Sequence, residues 1–188
     1  PPVEPTIYLS AEPFTPHKDL HEKGADAITL SDVRWSRCNL KTVNLLPNTM
    51  AKQEARDRGV NSAVMIRDGV ITESPNANIF GVKDGVLRTY PATNYILNGI
   101  TRQAVLAIAD EEDIDVSLQP IGEHELFDMD ELFFTGTTTD VQPVVEVNGR
   151  SIGSGKPGPV CKKIQEIYNE KLREANSFLN IEPQNNES

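Results

Sequence analysis

The chain has 188 residues, of which 38% are hydrophobic and 24% are charged, a composition that is ordinary for one globular domain. Its formal net charge is −10 and no window is rich in Lys and Arg, so we expect no nucleic-acid partner. Two cysteines are too few for a disulfide framework, and no apolar run approaches the roughly 20 residues that span a bilayer, so we expect a soluble, cytoplasmic protein.

The first third of the chain predicts two strands and a helix. An apolar stretch at residues 6–10, set between prolines, predicts one strand, and residues 25–30 predict a second. Residues 44–58 have helical composition, with Asn44 as the expected cap and Pro47 in the first turn, where no donor is required. We therefore expect a helix of about four turns here.

Three turn dipeptides separate alternating apolar runs in the rest of the chain. They are Asp68-Gly69, Asp84-Gly85 and Asn148-Gly149. Each is a strong signal for a type I′ hairpin, because both central residues must adopt positive φ. The middle of the chain is therefore predicted to be antiparallel sheet.

Two further helices and a tail are predicted around this sheet. Residues 101–110 have a helical pattern, and a longer helix begins at Pro159. The apolar stripe of the second helix consists of Val160, Ile164, Ile167, Tyr168 and Leu172. Residues 180–188 are polar and without periodicity, so we expect them to be disordered.

Lys41 is the first candidate for chemistry, because it lies between a strand pattern and a helix start. A lysine there would be partly desolvated, and Arg34 and Arg37 are nearby in sequence. Both conditions favour the neutral amine, which is the form that attacks an aldehyde. Taken alone the signal is weak, since most lysines are solvated surface charges.

Three sequence blocks together are more specific. They are DVRWSRCNLKTVNLL at residues 32–46, TESPNAN at residues 72–78 and YILNGITR at residues 95–102. In order and spacing they resemble the class IV aminotransferases, which are fold-type IV pyridoxal-phosphate enzymes, and are most similar to the D-amino acid branch. The resemblance extends from about residue 6 to about residue 173, nearly the whole chain.

The resemblance implies that Lys41 is the Schiff-base lysine and that Glu73 pairs with the pyridine nitrogen of pyridoxal phosphate. An anionic partner keeps that nitrogen protonated, so the ring can accept electrons from the substrate Cα. Lys41 would then transfer the proton as general acid and base. Without the other blocks, Glu73 would be read as a surface hairpin carboxylate.

The resemblance also assigns the phosphate site. Gly99, Ile100 and Thr101 match a phosphate cup at a helix N-terminus, where unpaired N–H groups and the helix dipole favour an anion. Thr137 matches a second hydroxyl donor, and Leu97 matches a leucine that packs on the ring face. Taken singly, these residues would be a plain turn and cap, a loop threonine and a core leucine.

Other polar residues received weaker interpretations. Arg34, Trp35 and Arg37 either lie near the cofactor, since arginine suits phosphate recognition, or form ion pairs and core packing. The histidines have no partner at ligand spacing, so no metal is predicted; they are His17, His21 and His124.

The chain departs from the family pattern in two ways. Asn76 and Ala77 stand where the family usually has serines that support the cofactor. Members also carry a smaller N-terminal domain of roughly a hundred residues, on ordinary domain sizes, which is not recognised here. We therefore expect residues 1–179 to be a C-terminal cofactor-binding domain, followed by the tail, in a fragment of a longer protein.

The resemblance implies a mixed α/β fold with a barrel-like sheet, helices packed outside, and a homodimer. The expected activity is transamination between an amino acid, most simply D-alanine, and a 2-oxo acid. Three alternatives remain open: a branched-chain aminotransferase, an aminodeoxychorismate lyase, and a catalytically silent module that binds the cofactor or mediates oligomerisation.

Overall fold

The computed structural model describes residues 3–178, so the expected disorder of residues 180–188 lies outside the described part. No helix within residues 3–178 combines the length and the apolar character needed to cross a bilayer. The elements in chain order are α1 (Lys18–Lys23), β1 (Ala25–Ser31), α2 (Leu46–Asp57), β2 (Ser62–Arg67), β3 (Val70–Ile71), β4 (Asn78–Lys83), β5 (Val86–Thr89), α3 (Ile100–Glu111), β6 (Val116–Ser117), a 3-10 helix (Glu123–Asp128), β7 (Glu131–Gly136), β8 (Asp140–Val147), β9 (Arg150–Ser151) and α4 (Pro159–Phe178).

The strands of the described residues form one mixed sheet. Its order is β3-β2-β1-β8-β7-β4-β5-β6, and β9 pairs with β8. β1 runs parallel to both β2 and β8, and β5 runs parallel to β6, whereas the other pairs are antiparallel. The parallel pairs join segments far apart in sequence, and the antiparallel pairs include the three tight hairpins.

The sheet curls until its two edges meet. The Ile71 amide at the β3 edge donates to the carbonyl of Ile121, which follows β6, at 2.8 Å, and the Glu123 amide donates to Gly69 at 2.8 Å. Two backbone hydrogen bonds therefore join the ends of the sheet. This arrangement confirms the expected mixed α/β, barrel-like fold.

The three predicted hairpin turns are confirmed. Asp68 and Gly69 have φ of 51° and 76°, and Asp84 and Gly85 have 50° and 79°. Asn148 and Gly149 have 53° and 72°. Both central residues are thus left-handed in every case, which a type I′ turn requires.

The predicted helices form, with one correction at a start. α2 begins at Leu46 with Leu45 at the N-cap and no side-chain cap, so the expectation that Asn44 caps it was wrong. The Asn44 amide instead donates to Thr42 Oγ1 at 3.2 Å, which places Asn44 in a local turn before the helix. α3 and α4 begin within one residue of their predicted starts.

The strand predicted at residues 6–10 is not observed. This segment has no regular structure, and Tyr8 and Leu9 are 85% and 86% exposed. A strand needs a partner for its backbone N–H and C=O groups, and no described strand pairs with this one. The apolar pattern alone could not reveal that a partner was missing.

Two of the hydrophobic clusters in the described part of the chain lie on opposite faces of the sheet. Leu132 and Phe134 of β7 point into the curl, whereas Phe133, between them, points toward α3 and α4 and stacks on Phe80 with ring centroids 5.2 Å apart. On the helix side the packing includes Ile164, which is fully buried, but Leu172 of the predicted stripe is 37% exposed. The rigid sheet therefore supports whatever lies at the ends of β4 and β7.

Candidate active site

A cavity of about 760 Å³ opens where the loop after β1, the first turns of α2 and α3, and the ends of β4 and β7 converge. The seven residues singled out from the sequence come from four separate segments of the chain. All of them line this cavity: Lys41, Glu73, Leu97, Gly99, Ile100, Thr101 and Thr137. The fold therefore brings the candidate residues together in one place.

Lys41 lies on the loop that covers one side of the cavity. Its side chain is exposed, so the partial desolvation expected from the sequence was wrong. Residues 32–45 form no helix or strand. Asp32, Arg34 and Cys38 are buried, but the part of the loop around Lys41 is exposed, with Val43 98% exposed. A long lysine side chain on this loop can still reach into the cavity that it lines.

Glu73 lies at the floor of the cavity and is only 6% exposed. Its Oε2 accepts hydrogen bonds from Asn78 Nδ2 at 2.9 Å and from the Leu97 amide at 3.2 Å. Its Oε1 accepts a hydrogen bond from Arg34 Nη1. The alternative interpretation of Glu73 as a surface hairpin carboxylate is therefore wrong, because it is buried and held by three donors.

Arg34 joins Glu73 to a second buried carboxylate. Its Nε donates to Asp32 Oδ1 and its Nη2 to Asp32 Oδ2, each at 2.8 Å. Arg67 reaches the same Asp32 at 3.1 Å. For Arg34, the ion-pair interpretation thus holds, since its guanidinium is occupied by carboxylates.

The two flanking residues differ from Arg34. Trp35 lines the cavity and is 38% exposed. Arg37 is exposed and donates to Asn39 Oδ1 at 3.3 Å, so it belongs to the surface of the loop.

Burial and pairing act in opposite directions on these groups. Burial raises the pKa of Glu73 to about 7, although the charge and hydrogen bond of Arg34 work against the rise. Burial also acts on Asp32, but there the hydrogen bond and charge of Arg34 prevail and lower its pKa to about 2. Burial disfavours the charge of Arg34, yet Asp32 and Glu73 together raise its pKa above the ordinary value. The cluster thus contains one firmly ionised carboxylate and one that titrates near neutrality.

Leu97 and Gly99 connect this cluster to the start of α3. The Leu97 carbonyl accepts from Asn78 Nδ2 at 2.7 Å, which places the half-buried leucine beside Glu73. Gly99 is the N-cap of α3, and a Cβ added there would lie 2.5 Å from Asn78 Oδ1. Only glycine therefore allows the backbone to approach so closely.

The first turn of α3 presents backbone donors to the cavity. The N-cap residue Gly99 has no side chain to cap α3, so the leading N–H groups of the helix receive no N-cap hydrogen bond. Thr101 is buried at 6% exposure, whereas Ile100 is 80% exposed. Both residues line the cavity. Thr137 lines the opposite wall, in the turn between β7 and β8.

Several lining or supporting residues were missed from the sequence. Asp32 and Asn78 hold Arg34 and Glu73, and Thr135 lines the cavity. Thr135 Oγ1 is buried and has no hydrogen-bond partner among the described residues. Thr135 pairs with Asn78 across β7 and β4. The strand pattern of residues 131–136 could have indicated which face Thr135 occupies, but its pairing with Asn78 is visible only in the fold.

The groups that line the cavity fit a flat ligand with an anion at one end. The Glu73 carboxylate can accept from a protonated ring nitrogen, and the leading N–H groups of α3 can donate to an anion. The Thr135 hydroxyl, which has no partner among the described residues, offers a further donor. Within residues 3–178 there is no group of three or more His, Cys, Asp or Glu residues placed to hold a metal ion.

Comparison with known proteins gives a consistent family. The family model for amino-transferase class IV matches residues 1–147. The D-alanine aminotransferase of Bacillus licheniformis is 43% identical over 163 residues, covering 87% of this chain and 58% of the relative. That of Staphylococcus haemolyticus is 38% identical over 178 residues, covering 94% of this chain and 63% of the relative. The chain thus spans less than two thirds of the length of these relatives.

Solved structures show the same fold. The branched-chain amino acid aminotransferase of Escherichia coli superposes with a TM-score of 0.76 at 34% identity, over 85% of this chain and 55% of that chain. The branched-chain amino acid aminotransferase of Thermobaculum terrenum, solved in its PLP form, superposes with a TM-score of 0.78 at 26% identity, over 85% of this chain and 54% of that chain.

Proposed function

Because the chain belongs to the class IV aminotransferases, we propose that it is the cofactor-binding part of an enzyme that transfers an amino group between a D-amino acid and a 2-oxo acid. The observation that carries the proposal is that one cavity is lined by a lysine, a buried carboxylate and a helix N-terminus. The relatives named D-alanine aminotransferase favour D-alanine as the amino donor. Residues 1–179 as a cofactor-binding domain are part of this proposal.

Pyridoxal phosphate is the proposed cofactor. When bound, it supplies an electron-accepting pyridinium ring that stabilises the charge left when the substrate Cα loses a proton. Lys41 would hold the cofactor covalently through Nζ. Once released by the substrate amine, the same Nζ would accept the proton lost from the substrate Cα and return it as general acid.

The other residues set the electronics and the position of the ring. The ionised carboxylate of Glu73 would pair with the ring nitrogen and favour a proton there. Leu97, whose amide donates to Glu73, would pack against the ring. The backbone N–H groups of Gly99, Ile100 and Thr101 and the hydroxyl of Thr137 would donate to the phosphate.

An absorption spectrum tests this proposal. The purified chain, incubated with pyridoxal phosphate, should develop a band in the near-ultraviolet or visible range that Lys41→Ala abolishes. Lys83→Ala, a lysine on an exposed hairpin paired with Asp130, should retain the band. D-alanine should change the band of the unaltered chain, and L-alanine should do so far less.

A branched-chain aminotransferase is the second candidate, because solved structures of that name share the fold at 34% identity. It differs in substrate alone, so the same spectral assay separates the two. A response to L-leucine that exceeds the response to D-alanine would favour the branched-chain activity. A protein that stays colourless with pyridoxal phosphate would contradict both and support the silent module.

A further inference from the structure

Arg102 occupies an unfavourable place in the first turn of α3. Its side chain is nearly fully buried, with 2% exposure, and the first turn has no acidic residue. The guanidinium donates to two neutral acceptors, Asn98 Oδ1 at 2.8 Å and the Tyr90 carbonyl at 2.9 Å. Its Nε has no hydrogen-bond partner among the described residues, and none of their carboxylates is within ion-pair distance.

Three effects oppose a cation at this position. Burial removes hydration from the charge, and it lowers the pKa of Arg102. The helix dipole is positive at the N-terminus, where a cation is repelled. The missing acceptor at Nε adds the cost of a buried unsatisfied donor. An anion at the start of α3 would reverse the first two effects.

The cavity beside Arg102 has the geometry for such an anion. The Cβ of Arg102 lies 3.9 Å from the position that a Cβ on Gly99 would take, and Arg102 holds Asn98, which lines the cavity. A second buried group in the cavity lacks a partner, the Thr135 hydroxyl, whose residue is 1% exposed. Thr135 pairs in register with Asn78, and a Cβ on Gly99 would touch Asn78. Unpaired donors therefore lie near the same helix end.

We infer that Arg102 is a positioning residue for the phosphate group of the cofactor, a role that rests on the proposed function. It acts through Asn98, which it holds at the turn before α3. It also acts through a buried charge that has no ion pair among the described residues and that an anion at the helix start would compensate. Thr135 donates its hydroxyl to the same anion. Neither residue needs to touch the reacting atoms.

The inference predicts a selective loss of affinity for the phosphorylated cofactor. Arg102→Met keeps side-chain length but removes the charge, so affinity for pyridoxal phosphate should fall at least about tenfold, the order expected when a charge-assisted interaction is lost. Affinity for pyridoxal, which lacks the phosphate, should stay unchanged. Both are measured by absorption titration of the full chain. Arg102→Lys should recover part of the loss.

Two further variants guard against a folding defect. Thr135→Val conserves the shape of the side chain and should lower the affinity for pyridoxal phosphate but not for pyridoxal. Arg88→Met removes a guanidinium that pairs with Glu125 at 2.8 Å and does not line the cavity. It should change the affinity for neither ligand. Equal weakening of both ligands by Arg102→Met and Thr135→Val, or no weakening at all, would overturn the inference.

Inorganic phosphate separates this inference from the proposed function. It should raise the thermal midpoint of the cofactor-free chain, and Arg102→Met should reduce that rise. A chain that shows this phosphate effect but no Lys41-dependent absorbance would refute the proposed function alone. If the unaltered chain shows the absorbance but phosphate raises the thermal midpoints of the unaltered chain and of Arg102→Met equally, the role of Arg102 alone is refuted.

Discussion

Single side chains around Glu73 combine stability with chemistry. Arg34 is enclosed by Asp32, Glu73 and the Tyr95 carbonyl, so its charge is compensated inside the protein. Removing one partner of such a cluster leaves the others buried and uncompensated, which costs more than the pair contributes. The charges at the cavity floor are therefore paired within the protein itself.

The first prediction at this scale concerns Arg34. Arg34→Met should lower the free energy of unfolding by about 3 to 5 kcal/mol, because it leaves buried carboxylates without their pairing charge. Arg37→Met, at an exposed position on the same loop, should change it by less than about 0.5 kcal/mol. Urea denaturation of the cofactor-free proteins measures both. Similar small losses would mean that Arg34 is not the compensating charge.

The pH dependence of Glu73 gives a second prediction. Its folded-state pKa is raised from 4.5 to about 7, so between these values the folded state binds more protons than the unfolded state. Stability therefore falls as pH rises through that window, by up to about 3 kcal/mol at about 1.4 kcal/mol per tenfold change in proton affinity.

Glu73→Gln isolates this effect because it removes only that titration. The unfolding free energy of the unaltered chain, minus that of Glu73→Gln, should decrease between pH 5 and pH 8 in the cofactor-free state. Denaturation curves at these two pH values provide the difference. A difference that stays constant or grows with pH would contradict the raised pKa.

At the scale of whole elements, the helices are attached to the sheet by specific polar contacts. Glu131 of β7 is buried, and its carboxylate accepts from the Val160 amide at 3.0 Å and the Cys161 amide at 2.8 Å. It thus caps α4 from another element. Gly158 permits this approach, since a Cβ there would lie 2.1 Å from Glu131 Cδ.

Removal of this cap should destabilise the protein. Glu131→Ala should cost about 1 to 2 kcal/mol, the range for lost helix N-caps. Glu146→Ala, on the exposed face of the adjacent β8, should cost much less. Thermal unfolding followed by circular dichroism compares the two, and equal midpoints would show that α4 does not depend on Glu131.

A turn near α4 allows a matched pair of glycine substitutions. Gly153 has φ of +51°, and a Cβ there would lie 2.0 Å from the Asp130 carbonyl oxygen. Gly149 has φ of +72°, with nothing within 4 Å of such a Cβ. Both alanine variants incur backbone strain of order 1 kcal/mol. Urea denaturation should show a clearly larger loss of unfolding free energy for Gly153→Ala than for Gly149→Ala. Equal losses would mean that the backbone at Asp130 shifts without an energetic penalty.

Considered as a whole, the molecule exposes apolar side chains on the loop before α2 and on α2 itself, next to residues that line the cavity. Val43, Leu46 and Met50 are 98%, 69% and 62% exposed, and Leu45 and Leu40 beside them are 52% and 45% exposed. Monomeric proteins rarely leave such a cluster facing water. Because Leu46 and Met50 are four residues apart, they lie on one face of α2.

The homodimer implied by the resemblance remains a prediction, and this surface provides its test. The chain should sediment as a dimer, and Leu46→Glu combined with Met50→Glu should shift it toward the monomer. Val116→Glu, on the distant β6 edge, should leave the dimer intact. A chain that sediments as a monomer at all concentrations would refute the homodimer for these residues.

Local chemistry in the sequence was enough to predict the turns and most helices. The pairs Asp68-Gly69, Asp84-Gly85 and Asn148-Gly149 determine hairpins by themselves, because the turn needs positive φ at two adjacent residues. At the candidate site, the resemblance carried by contiguous motifs named seven residues, and the fold brings all of them to one cavity, while their roles stay predictions.

Partners distant in sequence were decided only by the tertiary structure. Residues 6–10 have a strand pattern, but no strand in the described part of the chain pairs with them. Arg34 could have faced a phosphate but binds Asp32 and Glu73. The exposure of Lys41 follows from how four chain segments converge. So does the lack of a partner, within residues 3–178, for Arg102 Nε and the Thr135 hydroxyl. Sequence patterns report what each segment can form, whereas burial and pairing depend on the groups that the fold places next to it.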